Sequence, residues 1–359
     1  PAEREMDMLL ATGEQVTIAL LAMAIHAIGH KAISFTGPQV GIVTDSGHTK
    51  AKIQEVRADR VNTALDAGMI VIVAGFQGVT PDGQITTLGR GGSDTTAIAV
   101  AAGIGADVCE ILTDVDGVYT ADPRVVPAAR KLEVISYEEM LEMAATGAKV
   151  LQLRAVEFAR NHGVVIHCRS SFNDMPGTII REGDDSMEQA IISGVTHDSS
   201  EAKVTIRDVP DRPGVAAIVF SYMADANVNV DMIVQNVSEE GMTDISFTTP
   251  KEDLARAKRA ADQVVAELGA RLWSVDESIA KVSLVGAGMK THAGVAAKMF
   301  STLADAGVNL DMISTSSIRV SCVIDGAQVE RAVQALHTSF GLDSDSVTAE
   351  MSPASGKDA

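Results

Sequence analysis

The sequence predicts an α/β protein, with a three-layer α/β/α sandwich in its first half and two βαββαβ modules in its second half. Two observations carry this prediction. The first 170 residues alternate segments of helical apolar spacing with short apolar runs, the pattern of a largely parallel sheet covered by helices. Residues 214–233 and 294–313 then align without a gap, with fourteen of twenty positions identical, which indicates a duplicated module.

Each element of the first half follows from its apolar pattern and its flanking residues. Apolar residues at helical spacing predict helices, short apolar runs predict strands, and Thr80–Gly83 predicts a turn because it combines Pro, Asp and Gly. Ser136 and Glu139 have the spacing of a capping box and predict a helix start. In chain order the predicted elements are helix 9–28, strands 32–35 and 40–44, helix 56–67, buried strand 69–76, helix 93–103, buried strand 108–113, helices 136–147 and 151–161, and strand 164–168.

The second half follows a shift in composition. Residues 170–188 are rich in Ser, Asp, Gly and Met, so we expect a linker over 171–200. Beyond it, each repeat predicts the strand and helix order of a ferredoxin-like βαββαβ fold. The predicted domains are therefore 1–170, 201–276 and 277–350, with a tail at 351–359. Polar residues recur at matched places, namely Asn229 with Asn309 and Asp231 with Asp311, and this indicates a role beyond packing.

Composition and charge restrict the class of protein. The net charge of −19 argues against nucleic acids or anionic membranes as partners, because both need an excess of Lys and Arg. No apolar run approaches the roughly 18 residues of a membrane span. The three cysteines are never closely spaced, which predicts reduced thiols in a cytoplasmic protein. His26 and His30 have the i,i+4 spacing of a zinc site but no carboxylate motif beside them, so no metal site is predicted there.

The most informative motif is Thr86–Ala97 (TTLGRGGSDTTA), a loop that leads into a helix. Gly91 and Gly92 let the backbone approach a ligand, and Ser93 is expected to cap the helix, whose N-terminus attracts anions. Arg90 offers a planar guanidinium, which grips a carboxylate with two parallel hydrogen bonds. The motif therefore predicts a binding site for a small anionic ligand.

A second polar segment, Thr113–Arg124 (TDVDGVYTADPR), follows a predicted buried strand. Open α/β sheets bind ligands at the carboxyl ends of their strands, which is where this segment lies. Its three aspartates favour a bridging Mg²⁺ or the hydroxyl and amine groups of a ligand, Tyr119 offers a stacking face, and Arg124 offers a charge for phosphate. The same composition also occurs in ordinary turns, and the Arg90 motif is what favours a ligand site.

These residues together resemble those of the aspartate kinases, enzymes of the amino-acid-kinase fold that carry two C-terminal ACT domains. The supporting segments are TTLGRGGSDTTA at 86–97, TDVDGVYTADPR at 113–124, GFQG at 75–78, FTGPQ at 35–39, the Gly13-Glu14 pair, and VNxDM at 228–232 and 308–312. The resemblance covers residues 1–350. It implies an amino-acid-kinase sandwich followed by two ACT domains. The implied reaction converts ATP and L-aspartate to ADP and 4-phospho-L-aspartate, in the biosynthesis of lysine, threonine and methionine.

The resemblance also implies roles for individual residues. Arg90 would hold the α-carboxylate of aspartate and Glu14 its α-amino group, with Asp94 orienting its neighbours. No general base is needed, because a side-chain carboxyl with a pKa near ~3.9 is already ionised at neutral pH, and phosphoryl transfer then depends on alignment and charge neutralisation. The aspartate pocket would be lined by Phe76, Gly91, Gly92 and Ser93. ATP, with Mg²⁺, would be bound by Thr113, Asp114, Asp116, Tyr119, Asp122, Arg124 and Lys149.

The ACT repeat implies feedback regulation, with threonine and lysine as the expected effectors. ACT units of this family pair edge to edge, in a homo-oligomer or in an α₂β₂ assembly whose small subunit starts at an internal methionine, here Met187. The loop 211–214 is expected to face the turn 229–231, where an aspartate would take the ammonium of the effector. The first predicted effector set is Asp211, Gly214, Asn229, Val230, Asp231 and Gln235, and the second is Asn309, Leu310 and Asp311.

The chain departs from the family pattern in two places. Relatives begin with a strand and a Lys-aromatic-Gly-Gly segment whose lysine reaches the transferred phosphate, and this sequence, which starts at Pro1, has no copy of it. We therefore expect the 359-residue chain to have little or no turnover, and an amino-acid sensor with an inactive kinase domain is the alternative function. Ser317 stands where relatives usually carry Glu, which affects the second effector site. A different amino-acid kinase is disfavoured by Glu14 and Arg90 together.

Overall fold

A computed structural model of the chain describes residues 1–183, 192–237, 241–290, 292 and 294–344. Met187, the expected internal start, and the predicted tail 351–359 lie outside the described residues. The chain forms two compact units, of which the first contains Pro1–Tyr119 and Lys131–Met187 and the second contains Thr120–Arg130 and Glu188–Ala359. Residues 120–130, predicted within the catalytic domain, therefore belong to the second unit.

The first unit alternates helices with short strands. Its helices are α1 (Glu3–Ala27), α2 (Asp59–Asp66), α3 (Gly92–Ile104), α4 (Tyr137–Ala145) and α5 (Leu153–His162). Its strands are β1 (Ala32–Phe35), β2 (Ile42–Thr44), β3 (Ile53–Val56), β4 (Ile70–Val73), β5 (Gln77–Val79), β6 (Ile85–Thr87), β7 (Cys109–Thr113), β8 (Val134–Ser136), β9 (Ile166–Ser170) and β10 (Thr178–Arg181). The sheets are β1-β4, β3-β2-β5-β6 and β7-β9-β10-β8, with β1–β4 and β7–β9 parallel. The α/β class is confirmed.

Several predicted elements need correction. The helix predicted over 56–67 is wrong at its start, because β3 ends at Val56 and α2 begins at Asp59. The strands predicted as fully buried are not. Among the described residues β4 pairs with β1 alone and exposes Ile70, and β7 alternates buried and exposed residues. Strands β5 and β6 are not predicted, because three residues are too few to show an apolar period. The capping box of Ser136 and Glu139 is confirmed at the start of α4.

Helix α1 buries only a narrow face. That face consists of Asp7, Ala11, Ile18 and Ala22. Large apolar side chains on its other faces are exposed, among them Leu9, Val16, Leu20, Leu21 and Met23. By length and composition α1 is able to cross a membrane. The expectation that no apolar run approaches the length of a membrane span is therefore wrong. One such helix is weak evidence for a membrane span, because helices packed in a protein core pass the same test.

The second unit is built from two four-stranded sheets and their helices. Its elements are β11 (Gly194–Asp198), β12 (Glu201–Pro210), α6 (Val215–Asp225), β13 (Ile233–Val237), β14 (Met242–Pro250), α7 (Leu254–Leu268), β15 (Leu272–Asp276), β16 (Ile279–Val285), α8 (Val295–Asp305), β17 (Met312–Thr315), β18 (Arg319–Asp325) and α9 (Val329–Ser339). The strand orders are β13-β14-β12-β15 and β11-β16-β18-β17. Both are the order of a ferredoxin-like sheet, and the repeat prediction is confirmed.

The two modules are interleaved along the chain. β15 closes the first sheet, whereas the same edge of the second sheet is taken by β11, which precedes the first module and pairs with β16. The predicted linker 171–200 therefore contains two strands, β10 and β11, and is wrong as a linker over those residues. Local composition does not reveal β11, because its partner follows the whole first module in the sequence.

Residues 120–130 are held by the second module. Ala121 and Val126 are buried in its core. The N–H of Val195, on β11, donates to the carbonyl of Thr120 at 2.7 Å, and Nε2 of His337, on α9, lies 2.9 Å from the Thr120 hydroxyl. His337 is fully buried, and its Nδ1 has no hydrogen-bond partner among the described residues.

We expect the second unit to lose stability as the pH falls below about 6.5. Burial lowers the pKa of His337, the Asp343 carboxylate opposes this in part, and the Arg130 guanidinium adds to the lowering. The folded chain therefore keeps His337 neutral, while the unfolded chain takes up a proton near its ordinary pKa of ~6.5. Stability is thus full above that pH and is lost as the pH falls toward the lowered pKa.

Trp273, the only tryptophan, lies on β15 and reports unfolding of this unit. Urea midpoints at about pH 7.5 and about pH 5.5 should differ less in His337→Gln than in the wild type. His197→Gln, which changes a partly exposed histidine on β11, is the control. If the urea midpoint changed between the two pH values by the same amount in the wild type and in His337→Gln, the prediction would be contradicted.

Candidate active site

Arg90 lies on the loop between β6 and α3. α3 begins at Gly92, and its N-cap is Gly91, whose φ of 70° is left-handed. The prediction that Ser93 caps this helix is therefore wrong. The residue just before the helix has a left-handed backbone conformation, which glycine adopts without strain. Ser93 lies in the first turn of the helix. The loop still ends at a helix N-terminus, as the motif predicts.

Close packing explains both glycines. A Cβ at Gly91 would lie 1.8 Å from Cγ of Gln152, and a Cβ at Gly92 would lie 2.9 Å from Cδ2 of Phe76. Phe76 itself has a φ of 69°, which is strained for a bulky residue, and its N–H donates to the Thr96 hydroxyl at 3.1 Å. The structure therefore places Phe76 against the Gly91–Gly92 turn. The sequence analysis predicts that these three residues line one pocket.

Arg154 on α5 holds the same loop and is missed by the sequence analysis. Its Nη1 donates to the carbonyl of Leu88 at 2.8 Å, and its Nη2 donates to the carbonyl of Ala51 at 2.9 Å. No local signal distinguishes this arginine, because both acceptors are backbone groups far away in the sequence. The loop that carries Arg90 is thus fixed by a side chain that does not belong to the motif.

Glu14 and Arg90 both have unused hydrogen-bonding capacity. Oε2 of Glu14, on α1, is buried without a hydrogen-bond partner among the described residues. A buried carboxylate oxygen without a donor is costly, so this atom indicates a cationic or N–H donor from a ligand. Arg90 is exposed and forms no ion pair with the described part of the chain. The first unit therefore offers one acceptor for an ammonium, on α1, and one donor for a carboxylate, on the loop before α3.

Asp94 lies in the first turn of α3 and is half-buried, which raises the pKa of its carboxyl. Burial and the Asp94 charge together raise the pKa of Cys109 to about 11 and that of Cys168 to about 12. Asp94 therefore lies near β7 and β9, which carry these thiols. Both cysteines are free and buried, as is Cys322, so the prediction of unbridged thiols is confirmed.

The second motif begins where β7 ends. Thr113 is paired with Ser170 of the parallel strand β9, so the carboxyl ends of both strands lie at one edge of the sheet. The Thr113 hydroxyl donates to Asp114 at 3.1 Å, and the amide of Asn173 donates to Asp116 at 2.8 Å. This edge is where an open α/β sheet binds its ligand.

The structure divides the predicted nucleotide residues between the units. Thr113, Asp114, Asp116, Tyr119 and Lys149 lie in the first unit, and Asp122 and Arg124 lie in the second. Burial, with a smaller contribution from Asp116, raises the pKa of Tyr119. Nη2 of Arg124 lies 2.7 Å from Asp122, and this contact lowers the pKa of the Asp122 carboxyl. Lys149 is exposed on the loop before α5.

The repeated aspartates of the second unit have a structural partner. Asp231 contacts the ammonium of Lys281, on the first strand of the other repeat, and Asp311 contacts Lys203 in the equivalent way. Nζ of Lys281 also lies 2.6 Å from Oε1 of Glu201. The recurrence of the aspartates is therefore explained by ion pairs that join the two repeats.

One expectation about the effector site is wrong. Gly214 is the N-cap of α6, whereas Asn229 follows the end of that eleven-residue helix. A helix of that length spans about 16 Å, so the loop 211–214 and the turn 229–231 lie at opposite ends of one module and do not face each other. Val230 and Leu310 pack on the two module cores, while Asp211, Asn229, Gln235 and Asn309 are exposed.

Comparison with known proteins agrees with this architecture. Residues 2–170 match the amino acid kinase family, and residues 207–264 and 282–340 match the ACT domain. An aspartokinase from Mycolicibacterium smegmatis is 55% identical over 350 residues, which cover 96% of this chain and 83% of that relative. An aspartate kinase from Pseudomonas fluorescens is 55% identical over 344 residues, which cover 96% of this chain and 83% of that relative.

Two solved structures extend the comparison to the fold. Escherichia coli aspartokinase III in complex with aspartate and ADP has a TM-score of 0.81 at 28% identity, covering 94% of this chain and 76% of that chain. The same enzyme in complex with lysine and aspartate has a TM-score of 0.74 at 28% identity, again covering 94% and 76%.

The fold and the two motifs define the class of the protein as an amino acid kinase that carries ACT domains. It is an ATP-dependent phosphotransferase with a carboxyl acceptor. Within that class, the chain belongs to the aspartokinase family.

Proposed function

We propose that this chain, when preceded by the Lys-aromatic-Gly-Gly segment of its relatives, transfers the γ-phosphoryl group of ATP to the β-carboxylate of L-aspartate. The observation that carries the proposal is the buried Oε2 of Glu14, which has no hydrogen-bond partner among the described residues, in the unit where the loop before α3 carries Arg90, which forms no ion pair with those residues either. These groups match the α-ammonium and the α-carboxylate of one amino acid. The complex of a relative with aspartate and ADP supports aspartate and an adenine nucleotide as the ligands.

The proposed mechanism needs no general base. The β-carboxylate is ionised at neutral pH and attacks the γ-phosphorus directly, so the protein contributes alignment and charge neutralisation. Arg90 and Glu14 hold the α-substituents, which leaves the β-carboxylate pointing away from them. Arg154 donates a hydrogen bond to the carbonyl of Leu88 in this loop and Gln152 packs against Gly91, and these contacts would help to keep the reacting groups aligned.

Asp114 and Asp116 are the residues proposed to hold the Mg²⁺ of Mg-ATP, which would neutralise phosphate charge. The described residues contain no cluster of three or more metal-binding side chains. One or two carboxylates are sufficient here, because phosphate oxygens and water complete the coordination of a nucleotide-bound Mg²⁺. Both aspartates lie just after β7, at the ligand edge of the sheet.

Trapping of the acyl phosphate with hydroxylamine tests the function. The assay compares the 359-residue chain with the same chain preceded by the Lys-aromatic-Gly-Gly segment of a relative. We expect ATP- and aspartate-dependent hydroxamate from the extended chain, and little from the 359-residue chain. Hydroxamate from neither chain, together with retained amino-acid binding, would favour the alternative function of an amino-acid sensor.

We further propose that lysine or threonine binds the ACT modules and inhibits the enzyme. The ACT architecture of the second unit and the lysine complex of a relative support this. An effector whose ammonium binds Asp231 would have to share that carboxylate with Lys281. Gln235, exposed on strand β13, has no side-chain hydrogen-bond partner among the described residues and is the cleaner probe.

We expect Gln235→Ala to weaken effector binding by about tenfold, the loss of one well-formed hydrogen bond. Calorimetry with lysine and with threonine on the full chain measures it. Asn236→Ala, the next residue on the same strand, faces the other side of the sheet and is the matched control. Unchanged binding in Gln235→Ala would remove this strand from the effector site.

A further inference from the structure

Asp7 is a fully buried carboxylate that belongs to neither motif. It lies near the start of α1, and its oxygens accept hydrogen bonds from the Thr87 hydroxyl at 2.6 Å and from the backbone N–H of Thr49 at 3.0 Å. Nδ1 of His48 lies 2.7 Å from its second oxygen. A single side chain therefore joins α1, β6 and the loop 45–52.

These partners lie against the loop that carries Arg90. Thr87 is the last residue of β6, three positions before Arg90. The Thr87 carbonyl accepts from the N–H of Ala51 at 3.0 Å, and a Cβ at Gly89 would lie 2.9 Å from the carbonyl oxygen of Thr49. Thr49 is left-handed, with a φ of 66°, so Asp7 holds a strained residue in place beside Gly89.

Asp7 also lies on the same helix face as Glu14. The two residues are seven positions apart, which is two turns of α1. Between them, the carbonyl of Ala11 accepts a hydrogen bond from the buried Gln77 amide at 2.9 Å. Asp7 thus ties the helix that carries Glu14 directly to the strand that leads to Arg90.

We propose that Asp7 is a positioning residue for the amino-acid substrate, which sets the separation between Glu14 and Arg90. This inference rests on the proposed function. A carboxylate is suited to the task because it accepts from several donors at once, whereas an amide at this place would turn an NH₂ group toward the N–H of Thr49 or the ring of His48. The cost of a lost contact would appear in aspartate binding, because the nucleotide motif follows a different strand, β7.

The test compares Asp7→Asn with Asp45→Asn. Asp45 supports the same loop by accepting from the N–H groups of Gly47 and Lys52, but it does not bond to Thr87. In the extended chain of the hydroxylamine assay, we expect Asp7→Asn to lower kcat/KM for aspartate by about tenfold to a hundredfold, mainly through KM, with KM for ATP changed less than about twofold. Asp45→Asn should leave both constants close to the wild type.

Thr87→Val provides a second variant that keeps the buried carboxylate. It should also raise KM for aspartate, and the double variant with Asp7→Asn should be no worse than Asp7→Asn alone, because the two residues share one hydrogen bond. Calorimetric Kd values for aspartate, measured on folded samples, give a readout independent of turnover. A parent chain that neither binds nor phosphorylates aspartate would overturn the proposed function and this inference with it. A parent that binds aspartate, with equal Kd in Asp7→Asn and Asp45→Asn, would overturn this inference alone.

Discussion

Replacing Arg90 by Ala in the extended chain should lower kcat/KM for aspartate by about a hundredfold or more, the cost of removing one partner of a desolvated, bidentate charge pair. The loss should not come from unfolding. The guanidinium is exposed and makes no ion pair with the described residues, and the loop is held by Arg154 rather than by Arg90. KM for ATP should be unchanged.

Substrate analogues separate the two ends of the site. β-Alanine is aspartate without its α-carboxylate, and succinate is aspartate without its α-ammonium. If Arg90 binds the α-carboxylate, Arg90→Ala should lose the preference for aspartate over β-alanine, and Glu14→Gln should lose the preference for aspartate over succinate. Arg60→Ala, an exposed arginine on α2, is the control for surface charge. An Arg90→Ala enzyme that still rejects β-alanine as the wild type does would contradict the assignment.

The second large effect concerns stability. Lys281→Met should destabilise the second unit by about 3–5 kcal/mol, because it leaves the buried Glu201 without its counter-charge. Burial lowers the pKa of Lys281, but the carboxylates of Glu201 and Asp231 outweigh that effect and hold its pKa above the usual value. The ammonium is therefore charged throughout the neutral range. Urea unfolding followed by Trp273 fluorescence measures the loss.

The internal repeat supplies the controls for this prediction. Lys203→Met removes the equivalent ammonium at a more exposed pair and should cost about 0–1 kcal/mol. Ile279 occupies in the second repeat the place that Glu201 occupies in the first. Glu201→Ile with Lys281→Met should therefore recover much of the stability lost in Lys281→Met, since replacing a buried pair by apolar residues is often neutral. A double variant no more stable than Lys281→Met would show that the ion pair is not the cause.

Local patterns in the sequence predict the parts of this protein that depend on nearby residues. The capping box at Ser136 and the glycines of the Arg90 loop are of this kind, because a helix cap or a left-handed turn involves residues a few positions apart. The same motif misplaces the cap of α3, since Gly91 and Ser93 both fit a helix start and only the backbone conformation decides between them.

Buried polar contacts between distant segments follow no local pattern. In the sequence, Asp7 is one of several charged residues near the start of α1. Its hydrogen-bonding partners lie 41 to 80 positions away. Arg154 is similar, because its acceptors are backbone carbonyls that every residue has. The aspartates of the repeat show the opposite case: their recurrence is visible in the sequence, but the lysines that explain it appear only when the two modules are packed together.

The sequence by itself determined the α/β class, the duplicated module, the two polar motifs and the family they resemble, because these depend on residue type, spacing and repetition. The tertiary structure alone decided that β11 closes the second ACT sheet, that residues 120–130 belong to the second unit, and that Asp7 and Arg154 hold the Arg90 loop. The physical reason is that strand pairing and buried hydrogen bonds select partners by position in space, and chain folding brings those partners together from distant parts of the sequence.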